Sequence, residues 1–375
     1  MDRQQKNQII KDLAKKIVFL VGPRQVGKTW LAKEIGKQFK KTVYLNYDRL
    51  EDREIIKKEQ WPEETELLIL DELHKMKGWK NYLKGIFDTK SDSLKILVTG
   101  SARLETFRQA GDSLSGRFFV HRLLPFSLAE LKNEKEKLTK IDRFLARGGF
   151  PEPFLAVDAV DADRWRGQYV DGLIRTDVLD FESIHDFKAI KLVFELLRRK
   201  VGSPVSYKSI AEDAEISPLT AKKYIEIFEA LYIIFRITPY SKNIARSILK
   251  EPKIYFYDNG LVLGDEGAKF ENFAAVSLIK NLSAQNDYSG RNEKLQYLRT
   301  KEGKETDFSI ADSENRLKEI IEIKLSDSQP DKNLQYFSDK YGFPAIQIVK
   351  NLKREKTVGK IRIVEAENYF RELFL

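Results

Sequence analysis

A chain of 375 residues exceeds what one hydrophobic core serves, so two or three domains are expected, with three as the working number. Its hydrophobic share of 42% and charged share of 33% suit a soluble globular protein with zero cysteines, which excludes a disulfide framework, a thiolate metal site and a cysteine nucleophile. The formal net charge of +9 and a pI near 9.2 are compatible with a polyanionic partner such as nucleic acid.

The opening, Met1-Asp2-Arg3-Gln4-Gln5-Lys6, is polar and leads into a short amphipathic helix instead of an apolar leader. No apolar run approaches the ~20 residues that span a bilayer, so no membrane association and a cytoplasmic location are expected. An apolar strand, Ile17-Val18-Phe19-Leu20-Val21, then runs into Gly22-Pro23-Arg24-Gln25-Val26-Gly27-Lys28-Thr29 and a helix beginning Trp30-Leu31-Ala32. This is a complete G-x-x-x-x-G-K-[ST] loop in its required setting. The glycines let the backbone curl around a phosphate, and the helix aims its N-terminus and free N–H groups at the anion. Lys28 is expected on the β- and γ-phosphates, and the Thr29 hydroxyl on the Mg²⁺ that accompanies the nucleotide.

Strand and helix signals alternate from residue 42: Thr42–Leu45, Leu67–Leu70 and Leu94–Val98 are the apolar strands. The pattern reads as a parallel α/β sheet. The second of these strands ends in Asp71-Glu72, the form of a Walker B element, with Asp71 supporting Mg²⁺ and Glu72 polarising the attacking water. The third ends Val98-Thr99-Gly100-Ser101, where Ser101 is the first candidate for a group that senses the γ-phosphate and Thr99 the second. Leu114-Ser115-Gly116-Arg117 precedes another apolar segment, and Arg117 could act in trans as a finger on a neighbouring subunit's nucleotide or form a surface salt bridge.

The glycine loop, the Leu-Asp-Glu-Leu-His strand end, Thr-Gly-Ser, Ser-Gly-Arg and Gly148-Gly149-Phe150-Pro151 together resemble a prokaryotic family of AAA+-type ATPases. The resemblance covers nearly the whole chain. It implies a P-loop NTPase core at 1–150, a helical linker and winged-helix domain at 151–260, and a C-terminal α/β domain at 261–375 resembling PD-(D/E)XK, or restriction-endonuclease-like, nucleases. It also implies ATP as the nucleotide, in keeping with the lack of an N-K-x-D guanine-reading element, and places the Gly-Gly-Phe-Pro element at the exit from the ATPase core. Arg147 and Arg175 compete for the role of a second sensor arginine.

After the junction, residues 161–181 and 186–201 carry apolar positions at helical spacing, Trp165, Tyr169 and Leu173 in the first and Ile190, Val193, Phe194 and Leu197 in the second, and these read as core. A helix-turn-helix pattern follows: Tyr207–Ala214, a turn at Ile216-Ser217-Pro218, then Leu219–Phe228, with Ser217 as N-cap and Pro218 at the first helical position. Tyr232–Ile237 and Lys253–Tyr257 are candidate wing strands. Such a module can read DNA, with Lys222 and Lys223 near phosphates and Thr220 near bases, or serve as a protein contact. Glu226 and Glu229 on the same helix repel phosphate, so non-specific backbone contact by Lys208, Lys222, Lys223, Lys242 and Arg246 is the more defensible DNA mode.

The last third presents the order E…D…ExK: Glu271 on a helix, Asp307 on a strand, then Glu322 and Lys324 two apart on another strand. Residues two apart on a strand face one side, so Glu322 and Lys324 project together while Ile321 and Ile323 enter the core. Asp307 and Glu322 would hold Mg²⁺ or Mn²⁺ against a scissile phosphate, Glu271 would act through a metal-bound water, and Lys324 would orient or help deprotonate the attacking water. Alternating Glu and Lys on a strand is more commonly a solvated face. His74, His121 and His185 are isolated, and Asp327, Ser328 and Asp331 read as loop polarity. The first functional reading is an oligomeric AAA+-type ATPase that binds and cleaves DNA. The alternative is a nucleotide-controlled switch that holds a protein partner through a catalytically silent nuclease-like domain.

Overall fold

The computed structural model describes residues 3–100, 114–131, 134, 140–174, 186–242, 250–327 and 329–375. Ser101, Arg175, His185, Arg246 and Ser328 lie outside the described residues. The chain divides into two compact units, Met1–Leu124 and Pro125–Leu375.

In the first unit, α1 (Lys6–Leu13) precedes β1 (Ile17–Val21), α2 (Lys28–Gly36), β2 (Thr42–Asn46), α3 (Leu50–Lys58), β3 (Leu67–Asp71), α4 (Trp79–Thr89), β4 (Lys95–Thr99) and β5 (Phe118–Arg122). The five strands form one sheet in the order β2-β3-β4-β1-β5, and every pairing is parallel. Every residue of β1 and β3 is buried, which is why both strands read as continuous apolar runs without alternation. One face packs Phe19, Leu68, Leu70, Ile96 and Val98 with Trp79, Leu83 and Ile86 of α4. The Phe19 and Trp79 rings meet edge-to-face at 5.8 Å. Because β4 lies between β1 and β3, the strand end bearing Thr99 stands beside the one bearing Asp71, and the two residues are register partners.

The second unit continues with α5 (Ile141–Arg147), α6 (Pro151–Leu155), α7 (Ala159–Gly172), α8 (Phe187–Arg198), α9 (Tyr207–Asp213) and α10 (Pro218–Ala230). Ser217 accepts from the Thr220 N–H with Pro218 following it, so the short turn between α9 and α10 is capped as its sequence requires. The strands β6 (Ile234–Ile237) and β7 (Lys253–Phe256) pair antiparallel into a two-stranded sheet. Phe194 of α8 meets Phe228 of α10 and Phe256 of β7 edge-on, each at 5.8 Å, and this joins helices and ribbon into one core.

The chain ends with α11 (Glu266–Ser289), β8 (Lys294–Arg299), β9 (Glu305–Ala311), β10 (Leu317–Lys324), α12 (Lys332–Tyr341), β11 (Ala345–Val349), β12 (Lys356–Val358), β13 (Ile361–Glu365) and α13 (Ala366–Arg371). These strands make a six-stranded sheet ordered β12-β13-β11-β10-β9-β8. The β8-β9-β10 side is an antiparallel meander, whereas β10, β11 and β13 run parallel. Register partners Ile321 and Phe308 are both fully buried, and Glu322 and Asp307 adjoin them on the neighbouring central strands β10 and β9.

Candidate functional site

Two glycines with positive φ shape the loop between β1 and α2. Gly22 has φ 143°, and a Cβ there would lie 2.2 Å from the Leu123 carbonyl oxygen, so the backbone approach excludes any side chain. Gly27 caps α2 at φ 98°. Pro23 and Val26 are buried while Arg24 and Gln25 are exposed. Lys28 is buried and donates from Nζ to the carbonyl oxygens of Gly22 at 2.9 Å and Pro23 at 2.6 Å. Its ammonium thus lies folded over the cradle in which the sequence expects phosphate.

The oxygens of Asp71 gather three hydroxyls. Thr29 Oγ1 donates to Oδ2 at 3.0 Å, Tyr44 Oη to the same oxygen at 2.6 Å, and Thr99 Oγ1 to Oδ1. Burial and the adjacent Asp71 carboxylate hold the Tyr44 phenol protonated, well above its ordinary range. A hydroxyl and a carboxylate oxygen 3.0 Å apart are donors of the right chemistry for Mg²⁺, so Thr29 and Asp71 fit the ion the loop implies. Glu72 follows at φ 57°, its N–H bonded to Thr99 O at 2.9 Å. Its carboxylate lies 3.5 Å from His74 Nε2 and 3.7 Å from Lys75 Nζ. Burial raises the Glu72 pKa above the usual carboxylate range against the pull of Lys75.

Of the two sensor candidates, Thr99 is fully buried on Asp71, and Ser101 lies outside the described residues. Arg117 makes a two-pronged ion pair with Asp88, at 2.8 and 3.1 Å. Arg147 donates to the Asp158 carbonyl. Tyr44 is a site residue that sequence reasoning missed, because only the pairing of β2 with β3 brings it beside Asp71.

The E…D…ExK residues also meet, within the second unit. The Asp307 N–H donates to Glu322 Oε2 at 3.3 Å, and Asp307 Oδ2 accepts from the Ile323 N–H at 2.8 Å. Lys324 Nζ lies 2.7 Å from Glu322 and 3.1 Å from Asp331, so Asp331, read from sequence as loop polarity, is tied to the same group. Into this set comes Lys253, whose side chain is 1% exposed: its Nζ lies 2.8 Å from Glu305, 3.6 Å from Glu271 and 3.9 Å from Asp307. Glu271 also accepts from Tyr255 Oη at 2.7 Å. Burial and the Asp307 charge push Glu271 up to about 7 and Glu322 up to about 8, while the neighbouring lysines pull the other way.

Sequence reasoning missed Lys253 and Glu305. Glu305 could have been found, since it stands two residues before Asp307 on one strand; Lys253 lies 54 residues upstream of Asp307 and carries no local signal. The donor chemistry of Glu271, Asp307 and Glu322 suits a divalent cation, but the arrangement does not, because an ammonium already stands among the carboxylates. Among the described residues, no group of three or more His, Asp or Glu is set to hold a metal. Nor is any helix of the described residues long and apolar enough to cross a membrane.

Residues 14–132 match the family model for an AAA domain, and 138–264 and 266–369 match models for two domains of unknown function. Together with the parallel sheet and the glycine loop, this makes the N-terminal part an AAA-type P-loop ATPase domain. An uncharacterized protein of Methanocaldococcus jannaschii is 27% identical, aligned over 96% of this chain and 85% of its own. One from Haemophilus influenzae is 23% identical over 87% of each. A Walker-type ATPase of Pyrococcus abyssi superposes with TM-score 0.46 at 14% identity, covering 70% of this chain and 94% of that one.

Proposed function

We propose that the chain binds ATP with Mg²⁺ and hydrolyses it in its first unit, and that the nucleotide state controls what the second unit holds. The observation that carries this reading is the meeting of Lys28, Thr29, Asp71 and Glu72 at the C-terminal edge of one parallel sheet, where open α/β sheets bind ligands. Lys28 would exchange its two carbonyl partners for the β- and γ-phosphates. Thr29 and Asp71 would hold the Mg²⁺, which supplies neutralisation of phosphate charge when bound. Glu72 would orient the attacking water and accept its proton. Lys28→Ala is expected to weaken ATP binding by at least about 100-fold, since phosphate recognition loses its charged donor. Equilibrium titration with a fluorescent ATP analogue measures this, and unchanged affinity would sink the reading.

Oligomerisation belongs to the same proposal, with Arg117 leaving Asp88 to reach a neighbour's nucleotide. ATPase activity per chain is then expected to rise with protein concentration and to fall about 10³-fold in Arg117→Ala, the scale of a lost arginine finger. If Arg117→Ala hydrolyses ATP at the unmodified rate, Arg117 is only half of a surface ion pair.

A second reading adds DNA, favoured by the capped α9–α10 pair followed by the β6–β7 ribbon, an order of elements that fits a winged helix. Lys208, Lys222, Lys223 and Lys242 are exposed there, although Lys208 and Lys222 have Glu212 and Glu226 within 3.9 and 3.8 Å. Affinity for duplex DNA should fall steeply between 50 and 200 mM salt, on the order of 10-fold or more for a few phosphate contacts, and Lys222→Ala with Lys223→Ala should flatten that slope. Anisotropy with labelled duplexes of unrelated sequence checks it. Cleavage by Asp307, Glu322 and Lys324 is the further part of this reading; it would require the Lys253 ammonium beside Glu271 and Asp307 to give way to Mg²⁺ or Mn²⁺ first, and Asp307→Ala separates cleavage from binding.

A further inference from the structure

Three carboxylates from two elements, Glu271 on α11 and Glu305 and Asp307 on β9, direct an oxygen at one atom, the Nζ of Lys253. Clustered carboxylates repel one another and need a cation among them. A divalent ion and an ammonium meet that need in the same place and cannot do so together, because Mg²⁺ requires its oxygens at about 2.0–2.1 Å around its own centre.

The strand that brings Lys253 also claims a ligand by a second route. Tyr255, two residues on and therefore on the same face of β7, donates to Glu271 Oε1 at 2.7 Å. The Glu271 carboxylate is also closed in by backbone: Gly202 has φ 76°, and a Cβ there would lie 2.7 and 2.8 Å from its two oxygens. Glu271 is thus committed to the ribbon and the chain leading into it. Lys253 itself is sealed in, with the Tyr297 ring 5.3 Å from its Nζ.

We propose that Lys253 is a built-in plug, an internal cation that occupies the acid cluster in place of a divalent ion, so that Asp307 and Glu322 take metal only when β7 withdraws it. This rests on reading Asp307, Glu322 and Lys324 as a nuclease-like set. It gives that set a means of control: β7 belongs to the ribbon packed on α8 and α10, so a ligand that shifts the helix pair bears on the strand carrying the plug.

The test is Mn²⁺ binding to the nucleotide-free full chain, followed by electron paramagnetic resonance of the free ion, for the unmodified protein, Asp307→Asn, Lys253→Met, Lys253→Arg and the Lys253→Met, Asp307→Asn double variant. Lys253→Met should bind one Mn²⁺ at least ten-fold more tightly than the unmodified chain, and the gain should vanish in the double variant. Lys253→Arg, which keeps the charge, should show no such gain. Should Lys253→Met fail to fold by circular dichroism, Lys253→Gln removes the charge while keeping a hydrogen-bond donor.

The proposal is overturned if a folded neutral variant binds no more tightly, or if the unmodified chain already binds Mn²⁺ as tightly and loses it in Asp307→Asn, a comparison that needs no Lys253 variant. DNA cleavage assayed on the same samples separates the two ideas. Mn²⁺ uptake by Lys253→Met without cleavage leaves the plug standing and removes the nuclease reading. Asp307-dependent cleavage by the unmodified chain, with no gain in Lys253→Met, does the reverse.

Discussion

Glu72→Gln is expected to leave ATP bound and to slow its hydrolysis by about 100-fold or more, the usual contribution of a positioned general base. The substitution keeps the size of the side chain and removes only the ability to accept a proton. Binding should survive because Lys28, Thr29 and Asp71 are unaltered and the Glu72 N–H stays bonded to Thr99 O. The pH profile adds an independent readout. Burial holds the Glu72 carboxyl above the ordinary range in the nucleotide-free chain; only its ionised form can accept the proton, so kcat/KM, which reports the groups of the free enzyme, should fall on acidification through that raised pKa, at a higher pH than a free glutamate would give. The acid limb should be absent from the residual rate of Glu72→Gln. Full hydrolysis by this variant would move the base to another residue.

Lys280→Met is the second large effect, and it concerns stability. Lys280 on α11 and Glu130 have side chains 2% and 1% exposed and form an ion pair, and Lys280 Nζ also donates to the Pro125 carbonyl at 2.7 Å. Lys280→Met breaks this buried ion pair, and breaking a buried pair by removing one partner costs about 3–5 kcal/mol, a large part of the 5–15 kcal/mol that typically separates folded from unfolded domains. Thermal or urea unfolding should show it as a fall in midpoint, and adding Glu130→Gln to Lys280→Met should recover part of the loss by removing the stranded charge. A shift below about 0.5 kcal/mol would mean that the pair contributes nothing net.

Strands β1, β3 and β4 of the first unit were legible because each is built on a short apolar run that leads into residues with an evident task, the glycine loop, Asp71-Glu72 and Thr99. The Ser217-Pro218 start of α10 was equally legible, since a cap is a local matter of one hydroxyl and one N–H. Glu271, Asp307, Glu322 and Lys324 could be named from order and spacing along the chain. What the spacing could not reveal was their company: Lys253, Tyr255 and Gly202 reach Glu271 from a ribbon and a turn that precede it in the chain.

The sequence by itself therefore determined the chemistry on offer: a phosphate-cradling loop, a strand ending in two carboxylates, and an acid-and-lysine set two-thirds of the way along and beyond. Those are properties of residue type and short-range period, which torsional preferences and side-chain alternation impose locally. Tertiary structure alone decided which groups stand in contact, that Thr99 and Tyr44 join Thr29 on Asp71, that Arg117 faces Asp88, and that Lys253 stands beside Glu271 and Asp307, two of the carboxylates expected to hold metal. The reason is that charge neutralisation in a buried space acts through distance, and distance in the fold depends on which strands and helices become neighbours, which no pattern within a single element encodes.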